Sequence, residues 1–143
     1  MRDIITISTQ QRETLVDITE QVRQVVSASG IRDGIVSVYA QGATAAIMIQ
    51  ENWDESVQTD VVNFLRQIIP KGVWLHDRQD GNGDAHLKAG LVGPSETVPI
   101  IDGKLGLSTW QNIFLCEFDG PRAERNIVCS VLSDAYARLQ YYR

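Results

Sequence analysis

Two turn signals, Asp102-Gly103 and Asp119-Gly120-Pro121, cut the C-terminal part of the chain into short apolar runs. Asp-Gly between apolar runs marks a two-residue hairpin, because its central residues must take positive φ. It joins residues 98–101 to residues 104–107. Residues 110–118 and 125–132, on either side of the second turn, alternate with period two and read as two more antiparallel strands.

The N-terminal part has a different rhythm. Residues 3–8 and 14–18 read as strands, followed by a helix to residue 29 that Asp17 or Thr19 can cap. Val22, Val25 and Val26 form its apolar face, and Gly30 stops it. Residues 34–40 and 45–51 are strands around the turn Gln41-Gly42-Ala43-Thr44; the second is almost continuously apolar, which predicts cover on both faces. Asp54 caps a second helix ending before Pro70, with the stripe Val57, Val61, Phe64, Leu65 and Ile68. Residues 77–84 form a loop, and residues 85–92 a short helix or strand. Strands and helices come first and hairpin-connected strands follow. That order predicts a single α+β domain, a mixed, largely antiparallel sheet packed with two main helices. Residues 133–143 are a tail or a short helix.

Composition removes several function classes. A chain of 143 residues fits one domain. Its net charge of −5 and scattered basic residues argue against a nucleic-acid partner. No apolar stretch approaches the roughly 20 residues of a membrane span, and no secretory signal is expected. Cys116 and Cys129 sit in apolar segments without paired spacing, and read as buried thiols in a reducing, cytoplasmic setting.

Chemistry gathers in residues 76–86, which hold both histidines, His76 and His86, around a Gly-rich loop. Histidine is the side chain best suited to carry protons or metal near neutral pH. Asp80, Asn82 and Asp84 imitate a calcium loop, but Ala85 and Leu91 stand where that loop needs Gly and Glu. Asp60 lies close to the apolar stripe of its helix, as a structural ion pair or a carboxylate facing a site. Glu51 ends an apolar strand. Arg122 can bind a phosphate or carboxylate bidentately, or pair with a neighbouring acid.

These pieces resemble the YjbQ-type family, some of whose members are described as having thiamine-phosphate synthase activity. The resemblance runs in order over residues 3–132. It is carried by Val16-Asp17-Ile18-Thr19, Gly42-Ala43-Thr44-Ala45, Glu51, Asp60, His76, Asn82 with His86-Leu87-Lys88-Ala89, Gly93-Pro94-Ser95, Thr109-Trp110-Gln111 and Phe118-Asp119-Gly120-Pro121-Arg122. Many relatives carry His where this chain has Gly42. The resemblance implies a compact α+β homotrimer with a pocket at the subunit interface. It also implies a metal-dependent enzyme that couples a pyrimidine diphosphate to a thiazole phosphate, or a metal-assisted hydrolase or lyase. By the same resemblance Glu51, Asp60 and His86 would take the catalytic roles. Asn82, Lys88, Trp110, Gln111 and Arg122 bind a small phosphorylated or anionic molecule. His76, His86 and Asp60 hold a divalent ion, zinc or magnesium. The alternative is a non-catalytic trimer that binds metal or a small ligand.

Overall fold

The computed structural model describes residues 1–135. Among the described residues eight strands and three helices follow one another as β1 (Arg2–Thr9), β2 (Thr14–Asp17), α1 (Thr19–Ser29), β3 (Gly34–Ala40), β4 (Ala45–Gln50), α2 (Glu55–Ile68), α3 (Gly83–Val92), β5 (Ser95–Ile101), β6 (Lys104–Leu105), β7 (Asn112–Glu117) and β8 (Arg122–Ser133). A 3-10 turn, Leu75–Arg78, stands between α2 and α3. The α+β class is as expected. The expected C-terminal tail or helix lies outside the described residues beyond Ala135.

Every ladder is antiparallel, but the strands form two sheets, ordered β1-β8-β3-β5-β6 and β2-β7-β4. The Asp102-Gly103 hairpin forms with φ of 51° and 78°. The turn Asp119-Gly120-Pro121 does not make a hairpin: β7 and β8 belong to different sheets, so the chain crosses between layers there.

The smaller sheet is the middle layer. Ile113 and Leu115 of β7 face a core shared with the larger sheet and α1, where Val22, Val25 and Val26 are buried. Phe114, Cys116 and Phe118 face a second core under α2 and α3. This is why the expected alternation is absent from β7, where residues 113–117 are all buried. β4 shares the middle position, with Ala45 and Ile47 in one core and Ala46 in the other.

Asp17 starts α1 by accepting from the Thr19 amide (2.9 Å) and hydroxyl (2.6 Å), and Gly30 ends it in the left-handed region. Asp54 caps α2 through the Ser56 amide. The buried line of α2 is rotated from the expected one. It runs through Val61, Val62, Leu65 and Ile69, while Phe64 and Ile68 are 58% and 47% exposed. Asp60 stands on the outer row with them, at the spacing i, i+4, i+8, and is exposed. The expectation that it lies against the core is corrected, and in water its charge needs no partner. Among the described residues no helix is long and apolar enough to cross a membrane.

Candidate functional site

Asp77 shapes the segment that carries the histidines. Its Oδ2 accepts from the Trp74 amide (2.9 Å) and its Oδ1 from the Gly83 amide (2.8 Å), so one carboxylate ties the 3-10 turn to the first residue of α3. A Cβ on Gly83 would lie 2.8 Å from Trp74 Cβ, so only glycine fits this approach. The result brings His76 and His86 together edge-to-face, with ring centroids 4.6 Å apart and planes at 76°. His76 Nε2 lies 3.8 Å from Asp80 Oδ2. The convergence expected across the loop is what the fold produces. Asp80, Asn82 and Asp84 engage three different partners, His76, Asp119 and Arg12, and do not face a common ion.

Beneath α3 lies a buried ionic chain. Lys88 Nζ, 1% exposed, donates to Asp84 Oδ2 and Glu13 Oε1, both at 2.9 Å. Arg12 grips both oxygens of Asp84 (3.0 and 3.2 Å), and Arg66 Nε donates to Glu13 Oε2 at 2.6 Å. Burial alone would raise the pKa of Asp84 and Glu13. Hydrogen bonds from Arg12 and Lys88, and from Lys88 and Arg66, outweigh it and hold both carboxyls below the usual range. The hydrogen bond to Asp84 raises the pKa of Arg12 in turn. The Lys88 ammonium, read from the sequence as ligand-binding, is thus engaged inside the chain. The i, i+4 spacing of Asp84 and Lys88 signals their pairing; nothing local points to Glu13 or Arg12.

A groove of about 440 Å³ opens between the β3–β4 turn and α3, lined among others by Tyr39, Gln41, Gly42, Ala43, His86 and Pro94. Among the described residues no carboxylate lines it. Behind the turn sits Arg125, 8% exposed. Its Nε and Nη2 donate to Glu117 (3.0 and 2.5 Å), and Nη2 also to Thr44 Oγ1 (2.8 Å). Thr9 Oγ1 adds a 2.7 Å bond to Glu117. Burial opposes the Glu117 charge, and the bonds from Arg125 and Thr9 more than offset it, so its pKa is lowered. Sequence reading missed this pair. The available signal was a Glu inside an apolar strand, a position where only a paired carboxylate survives.

The other expected site residues fall elsewhere. Asp119 Oδ2 accepts from Asn82 Nδ2 and from Arg122 Nη2, each at 2.9 Å, so Arg122 makes the ion pair rather than presenting a free fork. Asn82 Oδ1 is buried with no donor among the described residues. Trp110 meets Trp53 edge-to-face at 5.2 Å, and both are well exposed. Gln111 Oε1 accepts from the Ser108 amide (3.0 Å), and Glu51 from the Trp53 amide (3.2 Å). Among the described residues no group of three or more His, Cys, Asp or Glu side chains is arranged to hold a metal, so one chain does not assemble His76, His86 and Asp60 into a ligand set. Cys116 and Cys129 are buried, and burial pushes their thiols up to about 12 and about 11, the latter aided by Asp3.

Comparison with known proteins gives a consistent picture. Residues 3–134 match the family model described as UPF0047 protein YjbQ-like. A UPF0047 protein of Methanocaldococcus jannaschii is 48% identical over 128 residues, covering 90% of this chain and 91% of its own. YugU of Bacillus subtilis, also a UPF0047 protein, is 38% identical, covering 85% and 92%. The crystal structure of a YbjQ-like protein of unknown function from Sulfolobus solfataricus superposes with a TM-score of 0.90 at 40% identity, covering 94% and 97%.

Proposed function

Because this chain belongs to the UPF0047 YjbQ-like family, whose function is uncharacterised, we propose that it is an enzyme whose groove at His86, against which His76 stacks from outside the lining, takes a small phosphorylated or anionic molecule. Thiamine-phosphate formation is the reaction to test first. The observation that carries the reading is the imidazole pair beside a groove without carboxylates in its walls. An imidazole is the side chain most often used as a general acid or base. Such walls do not repel an anion. In the coupling, a thiazole nitrogen bonds to the pyrimidine's activated carbon as the carbon–oxygen bond to diphosphate breaks, and the leaving group needs cationic or hydrogen-bonding support.

Two imidazoles suit a zinc-type ion better than magnesium, which prefers oxygen ligands. His76 and His86 would hold that ion together with donors from a neighbouring copy, and it would neutralise charge on the leaving group. Glu51, Asp60, Trp110 and Gln111 do not line the groove within one chain. In our reading a second copy brings such groups to it, in a homotrimer. The outer face of the larger sheet supports self-association. It exposes Ile4 and Tyr39, both opposite Val128 in the ladders, and the paired Ile35 and Leu132. Tyr39 belongs both to that face and to the groove, so a copy covering the face also walls the groove.

The alternative is a trimer that binds metal or ligand without catalysis. The internal pairing of Lys88 and Arg122 favours it, since both would otherwise serve a reaction. Metal analysis of the purified protein, with His76→Ala and His86→Ala beside it, tests the site. Both variants are expected to lose metal and thiamine-phosphate synthesis. Unchanged metal content and ligand binding in both would remove the groove from consideration. Metal lost without any turnover by the unaltered protein would leave the binding alternative.

A further inference from the structure

We propose that the trough between strand β2 and helix α2 takes an extended segment of a partner protein as an added antiparallel strand, basic towards its N-terminal end and acidic towards its C-terminal end. The inference goes beyond the histidine groove, with which the trough shares no lining residue. β2 is an edge strand: among the described residues it pairs with β7 alone. The Ile18 amide donates to the Ile113 carbonyl at 2.9 Å, in register with that ladder. Bonded residues recur every second position, so Val16 and Thr14 also bond to β7. Leu15 lies between them, and its amide and carbonyl point to the open side. Neither has a hydrogen-bond partner among the described residues. A trough of about 320 Å³ runs along that side, walled by Glu13, Thr14 and Leu15 on one flank and by α2 on the other. Side chains alternate between the two faces of a strand, so a lining of three consecutive residues puts the backbone edge itself in the wall.

The two walls run antiparallel. Asn52 Nδ2, just before α2, donates to Asp17 Oδ2 at the end of β2, and Arg66 Nε, in the last turn of α2, donates to Glu13 Oε2 just before β2 begins. Glu55, Thr59 and Val62 face the trough from the side of α2 opposite Phe64. From Glu55 to Arg66 the helix rises about 16 Å, the length of about five extended residues. Charge sets the direction of the occupant. At the Arg66 end, the cations Arg12, Lys88 and Arg66 outnumber the carboxylates Glu13 and Asp84 by one. At the other end Asp17 is held by neutral donors, and Glu55 makes no ion pair among the described residues. An antiparallel occupant enters beside Glu55 and leaves beside Arg66, so a basic residue comes first and an acidic one four positions later. Both face α2, because residues two apart in a strand share a face. The residue midway pairs with Leu15 and meets Val62, which packs beside it, so a small apolar side chain fits there. Backbone pairing supplies affinity and these three positions supply the choice of partner, as in other cases where a peptide joins a sheet edge.

The test is an NMR titration of the isotope-labelled full chain with the acetylated, amidated pentapeptide Arg-Thr-Val-Thr-Glu. Saturable binding is expected, with the largest shifts at the amides of β2 and slowed hydrogen exchange at Leu15. The reversed order, Glu-Thr-Val-Thr-Arg, should bind about tenfold more weakly, since each end then meets its own sign of charge. Methylating the valine nitrogen removes its bond to the Leu15 carbonyl and should weaken binding by about fivefold or more. Glu55 lies exposed in the first turn of α2, so Glu55→Lys should keep the fold and reverse the preference at that end. Glu-Thr-Val-Thr-Glu should then bind this variant better than Arg-Thr-Val-Thr-Glu does. Absence of saturable binding by the unaltered protein overturns the proposal. So do equal affinities for the two charge orders, affinity that survives methylation of the valine nitrogen, and shifts that fall away from β2 and α2.

Discussion

Lys88→Met removes the ammonium that bridges Asp84 and Glu13 while keeping most of the buried stem. Hydrogen bonds to charged groups contribute roughly 1.5–3 kcal/mol each, and two are lost. Arg12 and Arg66 stay on the two carboxylates, and methionine fills the space, so the net cost is about 3 kcal/mol, the low end for breaking a buried pair. A chain of this length gains about 0.3 kcal/mol/K of unfolding entropy, so the midpoint should fall by about 10 °C at pH 7. The pH dependence is diagnostic. Asp84 and Glu13 titrate below their usual range in the folded chain, so their contribution is fully present above the unfolded values, roughly pH 4. It is lost as pH falls through the lower folded values. Parent stability therefore rises with pH through the acidic range. Once both carboxyls are protonated they no longer need the ammonium, so the deficit of Lys88→Met shrinks. Thermal unfolding by circular dichroism at pH 7 and at pH 3 measures both. A drop below about 3 °C at pH 7, or a deficit that does not change with pH, would refute the view that the ionic chain anchors α3.

Gly83→Ala should cost about 2 kcal/mol in denaturant unfolding, although alanine is intrinsically better in a helix by about 1 kcal/mol, because its Cβ would sit 2.8 Å from Trp74 Cβ. Equal stability would show that the 3-10 turn can shift away at no cost. Burial holds both thiols well above neutral, so a thiol reagent at pH 7.5 should label neither Cys116 nor Cys129 in the folded chain and both in denaturant. Native labelling at the denatured rate would contradict that burial.

Local rules carried much of the fold. The Asp102-Gly103 hairpin, the Asp17 and Asp54 caps and the Gly30 stop are each set by neighbours in sequence, and each stands where those neighbours put it. What depends on the layer a strand joins was not legible. A turn such as Asp119-Gly120-Pro121 looks the same whether it closes a hairpin or crosses between sheets. The rotation of α2 had the same cause: with Phe64 and Leu65 adjacent, only the position of the small sheet decides which is buried. The candidate site divides likewise. The meeting of His76 and His86 follows from a short loop. The Arg125–Glu117 pair joins two sheets, and neither residue's surroundings name its partner.

The place of β8 in the larger sheet also orders the birth of the protein. β8 lies between β1 and β3, so the earliest and the latest of the described strands are direct neighbours, with Arg2 opposite Ser130. While the chain emerges from the ribosome, β1 has no partner strand in its sheet. β4 and β7, with α2 and α3 against them, are made before β8 and can assemble first. Closing β1 against β8 is a long-range, slow step. Until it occurs, the row containing Ile5 and Ile7 is open to other chains, which makes the N-terminal strand the part most in need of protection during synthesis.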